Sequence, residues 1–178
     1  MSRLTSFAPL AIFAALAIAL GVSARGTSSK APEMLIDRAM PSFTLAAVDG
    51  EGGGLSSADL GGGVALLHVF ASWCPVCRSE APTIAQLAAN GDIPIFGINW
   101  KDEAPNAGRW LRERNSPYRR IGFDGDGKVG NDLGVTGVPE TFVVDRTGRI
   151  RYRHPGAITQ DVWRDTIAPL LIKLRSAQ

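Results

Sequence analysis

The feature that most constrains this chain is Trp73-Cys74-Pro75-Val76-Cys77, which holds both of its cysteines with two residues between them. It comes directly after the run Val64-Ala65-Leu66-Leu67-His68-Val69-Phe70, which is nearly all apolar, as expected of a central strand covered on both faces. The stretch from Arg78 to about Asn90 reads as a helix. A strand feeding a helix whose first turn carries two cysteines is the sequence form of a dithiol redox site. The spacing has a physical reason. Two intervening residues at a helix start can bring the sulfurs within disulfide distance, about 2 Å, while the first side chain stays open to a partner. The unpaired N–H groups of that turn and the helix dipole favour a thiolate, the attacking species.

Composition narrows the setting. At 178 residues the chain is long enough for one ordinary domain plus an appendage. A net charge of +2, with 20% charged residues and no dense Lys/Arg block, gives no electrostatic footprint for nucleic acid. Two cysteines cannot staple a disulfide-framed miniprotein. Half of a zinc site is disfavoured too, because only His68 and His154 could complete it and their spacing fits no finger or ribbon. No metal site is expected.

Residues 1–24 read as a targeting or anchoring segment. Arg3 gives a positive start, and Phe7 to Ala24 carries no charge. A run of about 18 residues sits at the lower limit for a membrane-spanning helix and exceeds most signal-peptide cores. The leading reading is a transmembrane helix; a cleaved signal is the alternative, because Val22-Ser23-Ala24 resembles a cleavage site. Either exports the remainder of the chain into an oxidising compartment. Residues 25–38 are expected to be a linker and 39–175 the folded domain.

Within the domain, Met40 to Leu45 alternates as a short edge strand with Pro41 at its entry. Asp49 to Gly63, rich in glycine and serine, is expected to be loop. Ile93 to Asn99 predicts a second buried strand, and Ala104 to about Arg114 a helix. Asp124-Gly125-Asp126-Gly127 reads as a turn, since the later ligands and terminal Glu of an EF-hand calcium loop are lacking. Thr141–Asp145 and Gly148–Tyr152 predict a hairpin around Arg146-Thr147. Asp161 to Leu174 predicts a last helix burying Val162, Ile167, Leu170, Leu171 and Leu174. The order gives an α/β sandwich, parallel where helices intervene and antiparallel at the closing hairpin.

From about Ala39 to Leu174 the chain resembles the thioredoxin superfamily. The resemblance rests on Trp73–Cys77, on Pro82 where such proteins kink this helix, and on Val138-Pro139, which looks like the family's cis-proline element. Within the superfamily the chain resembles the membrane-anchored thiol–disulfide interchange protein of cytochrome c maturation, the CcmG/DsbE family. That likeness is carried by Met40-Pro41-Ser42-Phe43, Arg78-Ser79-Glu80, Gly97–Asp102, Phe123–Gly127, Leu133–Phe142 and Arg149–His154. It implies a thioredoxin-like three-layer sandwich with a mixed central sheet, preceded by an N-terminal transmembrane helix. It also implies a single-pass protein of the bacterial inner membrane with its domain in the periplasm.

The implied activity is thiol–disulfide exchange as a reductant in c-type cytochrome biogenesis. The implied partners are apocytochrome c, or a maturation dithiol protein, and a membrane electron donor. Cys74 is the implied nucleophile and Cys77 the resolving thiol, with no cofactor beyond the redox-active disulfide they form. Trp73, Pro75 and Val76 tune the site, and Val138 and Pro139 form the substrate groove. Two departures stand out: Thr136 replaces an aromatic residue of many relatives, and His68 stands where thioredoxin has a buried acid. Glu80 and Glu140 are then the candidates for moving the proton of Cys77. For His68 itself, a hydrogen-bonded core role is the expected one. Competing readings are a general exported thioredoxin-like reductase or oxidase and a non-catalytic module that binds cysteine peptides. A peroxidase is disfavoured, because the Pro/Thr pattern before its attacking cysteine is absent.

Overall fold

The computed structural model describes residues 35–49, 53–91 and 93–177. The expected membrane segment at 1–24 lies outside them, and no described helix is long and apolar enough to cross a membrane. The end of the expected linker belongs to the domain. Leu35 and Ile36 pack against the core. The Asp37 N–H donates to the Ile150 carbonyl at 2.7 Å, and the Ile150 N–H donates back to the Arg38 carbonyl at 3.0 Å.

The expected central strand is β3 (Ala65–Phe70), every residue of it buried. It pairs in parallel with β4 (Ile95–Trp100) through α1 (Pro75–Ala89), and β4 pairs in parallel with β5 (Ile121–Asp124) through α2 (Ala104–Glu113). On its other side β3 pairs antiparallel with β6 (Glu140–Val144), which pairs antiparallel with β7 (Ile150–Pro155). The five-stranded order β5-β4-β3-β6-β7 is the mixed sheet the sequence implies.

Several local expectations change. Of Met40–Leu45 only Thr44–Leu45 forms a strand (β1), and it pairs with Leu55–Ser56 (β2) in a separate two-stranded sheet. The stretch expected to be pure loop therefore contains β2 and a 3-10 turn, Ser57–Leu60, because Leu55 and Leu60 are drawn into the core. The expected hairpin keeps its two strands but turns more widely. The Asp145 carboxylate accepts the N–H groups of Thr147 (2.8 Å) and Arg149 (3.1 Å). β5 has no counterpart among the expected elements: it has four residues, one of them Gly122, where a Cβ would come within 2.7 Å of the Leu45 side chain. At the Asp124 turn, the carboxylate accepts the N–H groups of Val129 (3.1 Å) and Gly130 (2.8 Å). That starts the short helix α3 (Lys128–Asp132), so this acid serves the turn. The last helix runs as α4 (Gln160–Val162), a π-helical turn (Trp163–Ile167) and α5 (Ala168–Ser176). Pro169 offers no N–H to the ladder at that junction.

Strand alternation divides the sheet into two faces. Leu66, Phe70, Ile95 and Val143 face α1, α2, the π-helical turn and α5 through Ile84, Leu111, Ile167 and Leu171. Leu67, Val69, Ile98, Phe142 and Val144 face Met40, Phe43, Leu55 and Leu133. Three layers result, and the turn from β3 into α1 emerges at one pole of the sheet.

Candidate active site

Cys74 ends that turn as the N-cap of α1, with Pro75 at the first helical position, where a missing N–H costs nothing. The Cys77 N–H donates to Cys74 Sγ at 3.1 Å, so the helix terminus is aimed at the first sulfur. Across the cleft, Val138-Pro139 is a cis peptide, and the Val138 carbonyl oxygen lies 3.3 Å from Cys74 Sγ. The two segments that the sequence singles out, sixty-four residues apart, thus meet at one sulfur. Both cysteines are free thiols and buried. Trp73 and Val76 flank them at 54% and 47% exposure, an apolar rim open to solvent.

The two thiols differ in surroundings. Burial pushes the Cys77 thiol far above its ordinary range; the sulfur of Cys74 and the negative charge of Glu80 push in the same direction. Cys77 is therefore held protonated, and any reaction through its sulfur must place that proton elsewhere.

A polar line runs beneath it through an otherwise apolar layer. Glu80, on the first turns of α1, is 3% exposed, and its Oε1 accepts the Ile158 N–H at 2.6 Å. Its Oε2 faces His68 Nε2 at 3.4 Å, both side chains being essentially inaccessible. His68 Nδ1 lies 2.8 Å from the Tyr118 hydroxyl. Burial pushes the Tyr118 phenol well above its usual range, with the charge of Glu80 adding to it. The expected core role of His68 is thus found together with a link to Glu80. Phe70, Tyr118 and Trp110 stack beside it, with Phe70–Tyr118 centroids 4.9 Å apart.

Glu140 does not join this line. In β6 it alternates onto the face of Phe142 and Val144, whereas Thr141, opposite His68 in the register, takes the other. Its carboxylate is bonded to the Arg153 guanidinium, with both side chains buried. Arg153 also donates to the Gly134 carbonyl at 2.8 Å, bracing the loop that leads to Pro139. Glu140 is thus held in a buried ion pair with Arg153.

Two side chains that matter here are not among the candidate site residues read from the sequence. Asp102 accepts the Ser72 N–H at 2.5 Å and the Ser72 hydroxyl at 2.8 Å, and Asn99 donates to it at 2.9 Å. With the Trp73 indole donating to the Lys101 carbonyl at 2.8 Å, this fixes the turn that presents Cys74. Tyr118 is the other. Among the described residues no cluster of three or more His, Cys, Asp or Glu side chains is disposed to hold a metal ion.

Known proteins are similar in sequence over nearly the whole chain. The Redoxin family model matches residues 36–167. The thiol:disulfide interchange protein DsbE of Pseudomonas aeruginosa is 41% identical over 98% of this chain and 96% of its own length. DsbE of Escherichia coli K12 is 43% identical over 96% of this chain and 95% of its own. Among solved structures, dsbF of MTB superposes with a TM-score of 0.60 at 27% identity, covering 76% of this chain and 95% of that one.

Proposed function

We propose a function from one premise: the chain belongs to the Redoxin family and, within it, to the DsbE thiol:disulfide interchange proteins. Its activity is thiol–disulfide exchange. The reading we add is that it works as a periplasmic, membrane-anchored reductant of c-type cytochrome biogenesis. In this reading it keeps the haem-binding cysteines of apocytochrome c, or a partner dithiol protein, reduced, and a membrane electron donor recharges it. The observation that carries the chemistry is the meeting of Cys74 Sγ with both the Cys77 N–H and the Val138 carbonyl.

The geometry supports the following steps. The Cys74 thiolate attacks one sulfur of a substrate disulfide lying along Val138-Pro139, and the other substrate sulfur leaves as a thiolate. Cys77 then attacks Cys74 Sγ, closing the Cys74–Cys77 disulfide and releasing the second substrate thiolate. Two electrons pass to the substrate. The Cys77 proton goes to the Glu80 carboxylate, the buried base of the same helix. Tyr118, held as a phenol, donates to His68 Nδ1, which leaves the imidazole proton on Nε2 facing Glu80. His68 thereby positions Glu80 from behind, and no further cofactor enters the cycle. Trp73, Pro75 and Val76 set the potential and the rim against which substrate rests.

The test is exchange between the reduced protein and an oxidised Cys-x-x-Cys-His peptide. Wild type is expected to reduce it, Cys74→Ser to be inert, and Cys77→Ser to accumulate a mixed disulfide through Cys74. Peptide binding without exchange would instead identify a non-catalytic module. Normal c-type cytochrome levels in a deletion strain would leave a general reductant and remove the cytochrome role.

A further inference from the structure

Four arginines that the sequence scatters between 119 and 175 are gathered by the topology at the pole opposite Cys74. Because β3, β4 and β5 are parallel, their starts lie together, preceded by Gly61–Val64, Pro94 and Arg119-Arg120 respectively. β6 runs the other way and delivers Arg146 just beyond Val144, which pairs with Ala65 at the start of β3. The end of α5 adds Arg175. Together these residues line a cavity of about 750 Å³.

Only one of the four is committed to the protein. Arg120 pairs with Asp59 at 3.4 Å and donates to the Gly54 carbonyl at 2.9 Å. Arg119, Arg146 and Arg175 are exposed and have no ion pair among the described residues. Beside them the loop is open, since a Cβ on Gly62 or Gly63 would meet nothing. Three unpaired guanidinium groups around one concavity repel each other unless anions lie between them, and their planar forks suit phosphate oxygens.

Near the start of the described domain, Ala39 bridges Arg149 at this same pole. Residues 25–34, between the apolar run and the domain, span at most about 35 Å. We propose that this cavity docks the phosphate groups of anionic phospholipid headgroups, seating the domain on the membrane with its dithiol turned away. The proposal rests on the reading of residues 7–24 as a membrane anchor. Each guanidinium brought to an anionic surface is worth about a fivefold gain in occupancy.

The full chain, reconstituted into vesicles of phosphatidylcholine alone or mixed with phosphatidylglycerol, is labelled with phenylglyoxal and mapped by peptide mass. Arg119, Arg146 and Arg175 are expected to label about fivefold more slowly on the anionic vesicles. Arg109, beside Trp73 at the other pole, stays unchanged. High salt should erase the difference. Amide exchange at residues 61–64 should slow in parallel, and the combined Arg119→Gln, Arg146→Gln and Arg175→Gln variant should lose that effect while reducing soluble peptide at the wild-type rate. Equal labelling on both vesicle types overturns the proposal. So does equal protection by inorganic phosphate on neutral vesicles, which would make the cavity a small-anion site. Extraction of the chain by alkaline carbonate would refute the anchor instead, and the labelling contrast recorded before extraction still decides docking.

Discussion

Replacing Arg153 by methionine tests the assignment of Glu140 to structure. The substitution keeps an unbranched apolar side chain but removes the guanidinium over Phe142 and strands the Glu140 carboxylate, which is 1% exposed in the native fold. Breaking a buried pair by removing one partner costs about 3–5 kcal/mol, and the lost bond to the Gly134 carbonyl adds about 1 kcal/mol. For a domain of this size each kcal/mol lowers the midpoint by about 2–4 °C, so Arg153→Met should melt roughly 10–20 °C below wild type in a calorimetric scan. Adding Glu140→Leu removes the stranded charge. The double variant should recover all but about 1–2 kcal/mol, because apolar replacements of buried pairs are close to neutral. At a temperature where it is folded, it should also exchange thiols at the wild-type rate. A single variant that melts within a few degrees of wild type would refute the argument. A folded double variant arrested at the mixed disulfide would return Glu140 to the chemistry.

The other expectations concern protons. Glu80→Gln should leave the attack by Cys74 intact but lengthen the life of the mixed disulfide by about 10²-fold, monitored by trapping and mass analysis. Its resolution should then climb with pH as hydroxide replaces the carboxylate, whereas an unchanged lifetime would clear Glu80 of that role. Acid stability should carry the mark of two other acids. Asp59 lies below its ordinary value of 3.8 because of bonds from the Ser56 N–H and hydroxyl. Burial of Asp145 works against its bonds from Thr147 and Arg149 and the charge of Arg151, and the bonds and charge prevail, leaving it below 3.8 as well. Between each folded value and 3.8 the unfolded chain binds more protons. The stability these groups contribute is therefore whole above 3.8 and lost as pH falls through the folded values. Asp145→Asn should flatten that part of a denaturation series against pH.

The dithiol is legible in the sequence because everything that defines it is local: an apolar strand, a turn, two cysteines and a proline at the head of a helix. Pro139 is legible only through resemblance, since nothing in its own neighbourhood says that it faces Cys74. The face that Glu140 takes is also legible in the sequence. This residue shares strand parity with Phe142 and Val144, so a carboxylate there has to lie across the sheet from Glu80. Tyr118 and Asp102 act on residues 50 and 30 positions away, and no spacing within either loop announces such a partner. β5 escapes because its four residues include a glycine that lowers strand propensity. That glycine is required by the approach of Leu45, a tertiary reason invisible to any local window.

The last helix ends at Ser176, beside Arg175 at the pole opposite Cys74, and Ala39 bridges Arg149 at the same pole. A tether attached at this pole leaves the reactive sulfur on the opposite side of the domain. The six residues of β3 make that separation roughly 20 Å. Deleting part of 25–34 should shrink the set of disulfides within reach without altering the reactivity of any one of them.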